Sequence, residues 1–406
     1  MSSRIILPKV SPLILPIFSF AVFFIGATEF MLSPILKPLA ESFETTTDKA
    51  TWLVSSYALA YALSAPIFGW LSDRISRYKL LLASLLFLSI DGLALAIAPN
   101  LEIAIGLRIF GGIASAALIP TIFALITDIF PSHKQTSAMG IVMLGMTVGI
   151  ATGPVFAGVL TAVFNWRIPF LMSAIGCILL FILSRNILIR RLPLNLEKNS
   201  SQNLRIRKTE ITFQWIYQGN LIRLLIAKGF WNGTAVSAFI LTGEVLRRHY
   251  DLETGAVGIS VSAFGIGLGL GNLSAYFVKY LRIREECTLL LTVITLFVSS
   301  SAFMLLPLSL FFSLVCLMLW GCALGLAAPV STSILANRAK RNKGQILAVS
   351  ESLNNLAILF LLPIATMQLT LHGIAAAMII LGSCLIIAIG MILRDFLVTL
   401  SLNQDQ

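Results

Sequence analysis

The sequence predicts an all-α membrane protein of twelve transmembrane helices, arranged as two pseudo-symmetric halves of six helices each. Three observations support this fold class: an apolar composition, twelve apolar segments long enough to cross a bilayer, and a similarity between the two halves of the chain. Hydrophobic residues make up 57% of the 406 residues and charged residues 12%, whereas a soluble domain is roughly 25% charged. Because a soluble fold would expose much of this apolar surface, we expect the chain in a lipid bilayer.

The charge and the cysteines exclude several other classes of protein. The net charge is +11, but no polar segment interleaves basic with aromatic residues, so we expect no nucleic-acid partner. The 5 cysteines form no C-x-x-C pair and the 3 histidines are scattered, so the sequence predicts no metal site and no disulfide framework. It also lacks the G-x-x-x-x-G-K-[ST] loop that binds nucleotide phosphates, and we expect no cofactor and no ATP-driven step.

A transmembrane helix needs roughly 20 apolar residues, and twelve segments of the chain approach or exceed that length. Most connections between them are short, so we expect sequential helices to be antiparallel neighbours. The predicted spans, numbered in chain order, cover residues 12–36, 50–71, 80–98, 103–127, 138–162, 168–187, 220–244, 256–278, 288–306, 310–336, 345–370 and 373–393.

The distribution of Lys and Arg predicts the orientation in the membrane, because cytoplasmic connections of membrane proteins are enriched in these residues. With a cytoplasmic N-terminus, most Lys and Arg residues fall on the inner side. The outer connections then hold only Lys37, Lys49, Arg167, Arg247 and Arg248. Both termini are therefore predicted to be cytoplasmic, in a multi-pass protein of the bacterial inner (plasma) membrane. The sequence offers no sign of a partner chain, and we expect a monomer.

A short repeat supports the division of the chain into halves. Residues 69–78 are GWLSDRISRY and residues 271–280 are GNLSAYFVKY, an offset of 202 residues (271 − 69). We expect an N-terminal half over 1–187, a basic cytoplasmic linker over 188–219 and a C-terminal half over 220–406. Parallel repeats of six spans are typical of major facilitator transporters.

The loop after the second span and a segment of the fourth span make this resemblance specific. Residues 69–77 resemble the major facilitator loop motif G-x-L-a-D-r-x-G-r, except that Ser76 stands where the family usually has glycine. Residues 108–112 (RIFGG) resemble the fourth-span motif R-x-x-q-G, with Gly111 in place of the usual glutamine. The resemblance implies the twelve-span fold and a carrier function.

Other segments resemble the antiporter branch of this superfamily. The fifth span is similar to the antiporter-associated motif g-x-x-x-G-P-x-x-x-G. Residues 25–30 (IGATEF) and 242–244 (TGE) resemble segments of the twelve-span drug:proton antiporters. The fifth-span residues that carry the motif are Gly149, Gly153, Pro154 and Gly158.

The loop motif implies a gate at the cytoplasmic side. Asp73 lies at the predicted inner membrane edge, where its negative charge suits a helix N-terminus, and the family pattern assigns that terminus to the eleventh span. Arg77 is placed to meet Asp128 at the inner end of the fourth span. The alternative is that these are solvated loop charges that fix topology. The residues of the implied gate are Gly69, Asp73, Arg74, Arg77 and Asp128.

The fifth and eighth spans are expected to meet at the seam between the halves. Gly145, Gly149 and Gly153 recur every four residues and so share one helix face, and glycines of the eighth span would lie opposite. Small residues let helix backbones approach closely. The seam would then permit rocking of the halves without a leak, although ordinary small-residue packing explains the pattern as well.

Ionisable residues inside spans are the candidates for transport chemistry, because a charge near the bilayer centre costs at least about 2.5–3.5 kcal/mol. Glu29 and Arg108 lie at similar depth and are expected to pair across a cavity. For Asp91 we expect a packing role or pairing to Arg108 from behind. Lys228 and Glu351 are expected to pair nearer the inner side, unless Lys228 snorkels to the interface.

Polar and aromatic residues complete the predicted cavity. Asn354 shares a helix face with Glu351, and Tyr57 and Tyr61 share a face of the second span. Trp231 of the seventh span is the remaining candidate for an apolar wall. Aromatic side chains in membrane helices pack against neighbours more often than they bind ligands, and packing is the alternative for all three.

These observations predict a secondary active transporter and not an enzyme. The expected activity is proton-coupled export, by alternating access, of amphipathic or cationic organic compounds, with Glu29 as the carrier of the coupling proton. The alternative is export of one specific metabolite such as a siderophore, a sugar or an amino acid. An uptake symporter fits the fifth-span motif less well. The expected partners are a small organic substrate, protons and the lipid bilayer.

Overall fold

A computed structural model describes residues 12–71, 75–191, 218–280, 284–339 and 343–404 of the chain. Two of the predicted gate residues, Asp73 and Arg74, lie outside these residues, as does most of the predicted linker, over 192–217. Helices dominate the described residues, and 11 of them are long and apolar enough to cross a membrane, while a bent pair makes up to 12. The predicted all-helical membrane fold is confirmed.

The bounds of the spans follow the predicted ones, and most helices extend further. The first span is the bent pair Ile14–Phe30 and Leu32–Ser42, and a one-turn helix, Thr47–Ala50, precedes the second span. The second to twelfth spans are Trp52–Leu71, Arg77–Ile97, Leu101–Ile129, Ser132–Val163, Arg167–Arg191, Gly219–Tyr250, Thr254–Tyr280, Glu285–Leu305, Leu310–Arg338, Lys343–His372 and Ile374–Gln404.

The bend in the first span is a feature that the sequence analysis missed. Its two helices meet at Met31 at an angle of 54°. Pro34 explains the break, because proline has no N–H to donate to the carbonyl one turn earlier and its ring crowds that carbonyl. The bend directs residues 32–42 across the predicted outer end of the seventh span, which they contact.

The packing of the spans brings the first six and the last six together along two seams. The second span packs on the eleventh, and the fifth packs on the eighth. Within the first six, the fourth span contacts the second and third. Within the last six, the tenth contacts the eighth and ninth. Of the candidate charged residues, only Glu351 lies on one of these four seam spans, whereas the others lie on the first, third, fourth and seventh spans.

The fourth and tenth spans correspond closely, and they correct the register of the predicted repeat. Both are 29 residues long, and their first residues, Leu101 and Leu310, are 209 residues apart (310 − 101). Gly112 lies against Tyr57 of the second span and Gly321 against Phe264 of the eighth, which are 207 apart (264 − 57). The sequence match at an offset of 202 is therefore out of register with the fold. A shift of seven residues is close to two full helical turns, so residues that match at the wrong register still lie on nearly the same helix face.

Candidate functional site

A buried ion pair joins the third and fourth spans. The Arg108 guanidinium donates from Nη1 to Asp91 Oδ2 at 2.6 Å, and each side chain is only 1% exposed. Arg108 Cζ also lies 4.7 Å from the ring centroid of Tyr57, which is within cation–π distance. The expected pairing of Asp91 with Arg108 is confirmed, whereas the expected ion pair between Arg108 and Glu29 does not form in the described structure.

Glu29 lies next to this pair but is not part of it. It is the penultimate residue of the first helix, immediately before the bend at Met31. Its carboxylate interacts electrostatically with Arg108 and with Glu351 of the eleventh span. No hydrogen bond to the Glu29 side chain forms within the described ranges. Asp91, and not Glu29, is therefore the carboxylate that pairs with Arg108.

A second charged cluster lies across the seam, on the seventh, tenth and eleventh spans. Lys228 Nζ lies 3.2 Å from Glu351 Oε1 and donates to Thr332 Oγ1 at 3.3 Å. Asn354 Nδ2 donates to Glu351 Oε2 at 3.0 Å. Lys228 is 2% exposed, but the Glu351 side chain is 47% exposed. The predicted Lys228–Glu351 pair is confirmed, and its carboxylate faces open space while its ammonium group is buried.

The three aromatic candidates differ in their surroundings. Tyr57 is buried beneath Arg108, so it supports the ion pair. Tyr61 packs near Tyr57, with 6.3 Å between the ring centroids and an angle of 42° between the ring planes. Trp231 is fully buried in the core and exposes no surface to a cavity. Of the three, Tyr61 is the one that is partly exposed.

At the predicted cytoplasmic side, one contact of the implied gate is present. Arg77 Nη1 lies 2.7 Å from Asp128 Oδ1, and it also donates to the carbonyl oxygen of Ala124 at 3.0 Å. The pair joins the start of the third span to the end of the fourth. Gly69 lies in the last turn of the second span. The gating role itself stays a prediction.

The glycines of the fifth span divide between two neighbours, which corrects the predicted seam. A Cβ added at Gly153 would lie 2.7 Å from Ala27 Cα, and one at Gly149 would overlap the carbonyl oxygen of Phe23. These two glycines therefore pack on the first span, and the expectation that their face forms the seam is wrong. At the seam, a Cβ at Gly158 would lie 2.7 Å from Gly258 Cα of the eighth span, and one at Gly258 would lie 2.6 Å from the Pro154 oxygen.

The predicted outer ends of the first and seventh spans form a contact that sequence reasoning missed. The Ser33 hydroxyl donates to the carbonyl oxygen of Phe239 at 3.1 Å and lies 2.9 Å from Thr242 Oγ1. The Gly243 N–H donates to Ser33 Oγ at 3.2 Å, and Arg247 donates to the Pro34 oxygen. Apart from Arg247, these polar groups are small side chains or backbone atoms, and only the resemblance at residues 242–244 pointed to this place.

A surface cavity of about 250 Å³ opens beside this contact, away from Glu29. Two ion pairs flank it: Lys37 with Glu41, at 4.0 Å, and Arg248 with Glu244, at 2.9 Å. Arg248 also donates to the backbone oxygen of Leu369 at 2.8 Å. The cavity therefore lies where the first, seventh and eleventh spans meet, and it is not the predicted cavity around Glu29.

Comparison with known proteins agrees with this architecture. The family model described as Major Facilitator Superfamily matches residues 18–362. The MFS-type transporter YceJ of Bacillus subtilis (strain 168) is 30% identical over 263 residues, which cover 63% of this chain and 64% of YceJ. Multidrug resistance protein 3 of the same strain is 33% identical over 141 residues, which cover 34% of this chain and 27% of the relative. The matched part spans less than two thirds of either relative.

Solved structures cover nearly the whole chain at low identity. The crystal structure of a D-xylose-proton symporter gives a TM-score of 0.76 at 15% identity, over 93% of this chain and 96% of the symporter. A partially occluded inward-open conformation of the xylose transporter XylE from E. coli gives 0.74 at 13% identity, over 94% and 96%. Such identities show the fold alone. The family match over most of the chain shows that this protein belongs to the Major Facilitator Superfamily, a family of multi-pass membrane carriers of small substrates that are not enzymes.

Proposed function

We propose that the protein exports amphipathic or cationic organic compounds in exchange for protons, and that Glu29 carries the coupling proton. The observation that carries this proposal is the unpaired Glu29 carboxylate inside the first span, beside an Arg108 that Asp91 already balances. Ionisable residues inside membrane spans are rare and line ion or substrate pathways. A carboxylate without a fixed partner binds either a proton or a cation.

Competition at one carboxylate is sufficient for antiport. A proton that binds Glu29 from outside neutralises it and releases a bound organic cation. Loss of that proton toward the cytoplasm restores the anion and the affinity for the next cation. Glu351, which is paired with Lys228 but 47% exposed, also interacts electrostatically with Glu29, so a second acidic group lies near a cation bound at Glu29.

The relatives support this substrate class in part. Multidrug resistance protein 3, the multidrug export protein EmrB of Escherichia coli and a probable multidrug resistance protein, EmrY, match parts of the chain at 27–33% identity. Their names speak of multidrug export or resistance, which we carry over to this chain as part of the proposal. The symporter structures resemble the fold and do not bear on the direction of transport.

One observation favours the alternative, export of one specific metabolite. The amide oxygens of Asn354 and Asn355 are buried and lack a hydrogen-bond partner in the part of the chain that the structure describes. Such acceptors suit the hydroxyl or amine hydrogens of a polar metabolite, because unsatisfied buried acceptors are costly. A polar compound that outcompetes organic cations for transport would favour this reading.

Transport by protein reconstituted in liposomes tests the proposal. We expect tetraphenylphosphonium, a permanent organic cation, to move against its gradient when an opposed proton gradient is imposed. Glu29→Gln, which keeps the size of the side chain but cannot ionise, should abolish this movement while the protein remains folded. Glu102→Gln is the matched control, because Glu102 is an exposed carboxylate in the first turn of the fourth span.

Two results would contradict the proposal. One is transport by the parent protein that does not respond to the proton gradient. The other is full proton-driven transport by Glu29→Gln, which would transfer the coupling role to Glu351, the other membrane carboxylate that is partly exposed at this junction.

A further inference from the structure

We propose that Asp91 is a positioning residue for transport: its carboxylate, seated in the space that Gly111 leaves open, keeps Arg108 from capturing Glu29. The inference deepens the proposed function and rests on it for the consequence in transport. The ion-pair arrangement itself rests only on the geometry of the third and fourth spans.

Gly111 makes the position of the Asp91 carboxylate possible. A Cβ added at Gly111 would lie 2.5 Å from Asp91 Oδ2 and 2.6 Å from its Cγ. The carboxylate thus fills the volume that any larger residue at position 111 would occupy. From there it accepts from Arg108 Nη1 at 2.6 Å, in a site where both side chains are 1% exposed.

The Arg108 guanidinium also reaches toward Glu29. Its Nη2 lies 3.5 Å from the carbonyl oxygen of Thr28, the residue that precedes Glu29, and it interacts electrostatically with the Glu29 carboxylate. Asp91 Oδ1 and Arg108 Nε have no hydrogen-bond partner within the described residues. The pair is therefore held by one short contact, and Glu29 is the next carboxylate within reach of the guanidinium.

A buried guanidinium requires a counter-charge, and breaking a buried pair is strongly destabilising. The other titratable groups that interact with Asp91, Arg108 or Glu29 are Tyr57, Tyr61, Cys177 and Glu351. None of these is a second cation, and Glu351 is already paired with Lys228. Glu29 is therefore the group that would balance Arg108 if Asp91 were removed.

Asp91 and Glu29 therefore have different roles in this arrangement. While Asp91 holds Arg108, Glu29 is free to exchange a proton for a substrate cation. Without Asp91, Arg108 pairs with Glu29 and occupies the site with an internal cation. Asp91 thus keeps the transport site vacant without contacting the substrate.

A ligand-free measurement of thermal unfolding tests this arrangement. In the purified parent protein, Glu29→Gln should change the unfolding temperature little, because the Glu29 side chain has no hydrogen bond or ion pair in the described structure. In the Asp91→Asn background, the same Glu29→Gln change removes the last counter-charge of Arg108. There we expect a further fall on the order of 2–4 °C or more.

A second background keeps the test decisive if Asp91→Asn does not fold. Gly111→Ala retains the carboxylate but displaces it from Arg108, so Glu29→Gln should again lower the unfolding temperature more than in the parent. Gly106→Ala is the matched control in the same helix, because a Cβ there meets nothing within 4 Å. In that background Glu29→Gln should behave as it does in the parent.

Equal effects of Glu29→Gln in the parent and in the Gly111→Ala background would overturn the inference, whatever Asp91→Asn does. A larger effect in both Asp91→Asn and Gly111→Ala than in Gly106→Ala supports it. Failure of the proposed function is a different result, namely no proton-driven movement of tetraphenylphosphonium by the parent protein. The unfolding experiment is independent of that outcome because it uses no substrate.

Discussion

The fourth and tenth spans share one plan of construction but differ in what they bury. Each begins after a capping side chain: Asn100 accepts from the N–H of Ile103, and Ser309 accepts from that of Phe312. Both contain a proline at the equivalent place, Pro120 and Pro329. The caps and the prolines are each 209 residues apart (309 − 100 and 329 − 120), so cap, length and proline recur in register.

The difference lies in the charges. At the same offset of 209, Leu317 corresponds to Arg108 and Trp320 to Gly111. The third and ninth spans are 208 residues apart (285 − 77), so Ser299 corresponds to Asp91. All three residues of the last six spans are buried. The tenth span therefore packs with an apolar interior where the fourth holds an ion pair. Two spans of the same construction therefore differ in content: the third and fourth spans share a fully buried ion pair, whereas buried Lys228 of the seventh span pairs with a partly exposed Glu351 of the eleventh.

The largest effect should come from forcing a charge into the tenth span. Leu317→Arg would bury a guanidinium without a carboxylate equivalent to Asp91 and without the space that Gly111 provides. We expect a loss of stability of about 3–5 kcal/mol, because an uncompensated buried charge is the costly case. Thermal unfolding and the yield of folded protein measure it. Leu317→Met is the control, at a cost below about 1.5 kcal/mol. A Leu317→Arg protein as stable as the parent would show that the tenth span holds a buried guanidinium as well as the fourth does.

Removing charge from the fourth span tests the same difference between the fourth and tenth spans from the other side. Arg108→Met leaves Asp91 buried without its cation, and we expect a loss of roughly 3–5 kcal/mol. The double variant Arg108→Met with Asp91→Asn should be more stable than Arg108→Met alone, since both charges are then gone. Denaturation of the single and double variants provides the measurement. Losses that simply add would show that the two side chains do not act as a pair.

Equal effects are expected where the two spans are alike. A Cβ at Gly112 would overlap the Tyr57 carbonyl oxygen, and one at Gly321 would overlap that of Phe264. Gly112→Ala and Gly321→Ala should each lower stability by about 1–3 kcal/mol through overpacking. Gly106→Ala, in open space, should instead be neutral or slightly stabilising. Unequal losses at Gly112 and Gly321 would mean that the two helix crossings are not equivalent.

The smallest expected effect concerns the caps. Asn100→Ala and Ser309→Ala should each reduce stability by about 0.5–2 kcal/mol, because each removes an acceptor for an N–H of the first turn. Exchanging the caps, as Asn100→Ser and Ser309→Asn, should change the unfolding temperature hardly at all. An exchange that destabilises as much as alanine would argue against a shared capping role.

Much of the architecture followed from composition and length, because a bilayer demands apolar helices of one length wherever the chain crosses it. The sequence also predicted the pairs Lys228–Glu351 and Arg77–Asp128, because the depth of a residue in the membrane can be counted from the ends of its helix. The choice of Asp91 over Glu29 as the partner of Arg108 did not follow. It depends on the open volume at Gly111, which is a property of two packed helices and not of either sequence alone.

The sequence also did not predict which neighbouring helix each helix face contacts. Gly149 and Gly153 share a face with a four-residue period, but the period does not say which neighbour that face meets, and the first span lies there. The contact of Ser33 with Thr242 depends on the bend at Met31, which places residues distant in sequence side by side. The hydropathy pattern predicts neither the neighbour of the glycine face nor the bend at Met31. It marks which residues are apolar, but it does not distinguish one neighbouring membrane helix from another.

We propose that a proton and a substrate cation compete for the Glu29 carboxylate, and proton release from purified protein measures this competition. In weakly buffered detergent solution, addition of tetraphenylphosphonium to the parent protein should release protons in proportion to the cation bound. The Glu29→Gln variant should release none, whereas Glu102→Gln should match the parent. Proton release from Glu29→Gln equal to that of the parent would contradict the claim.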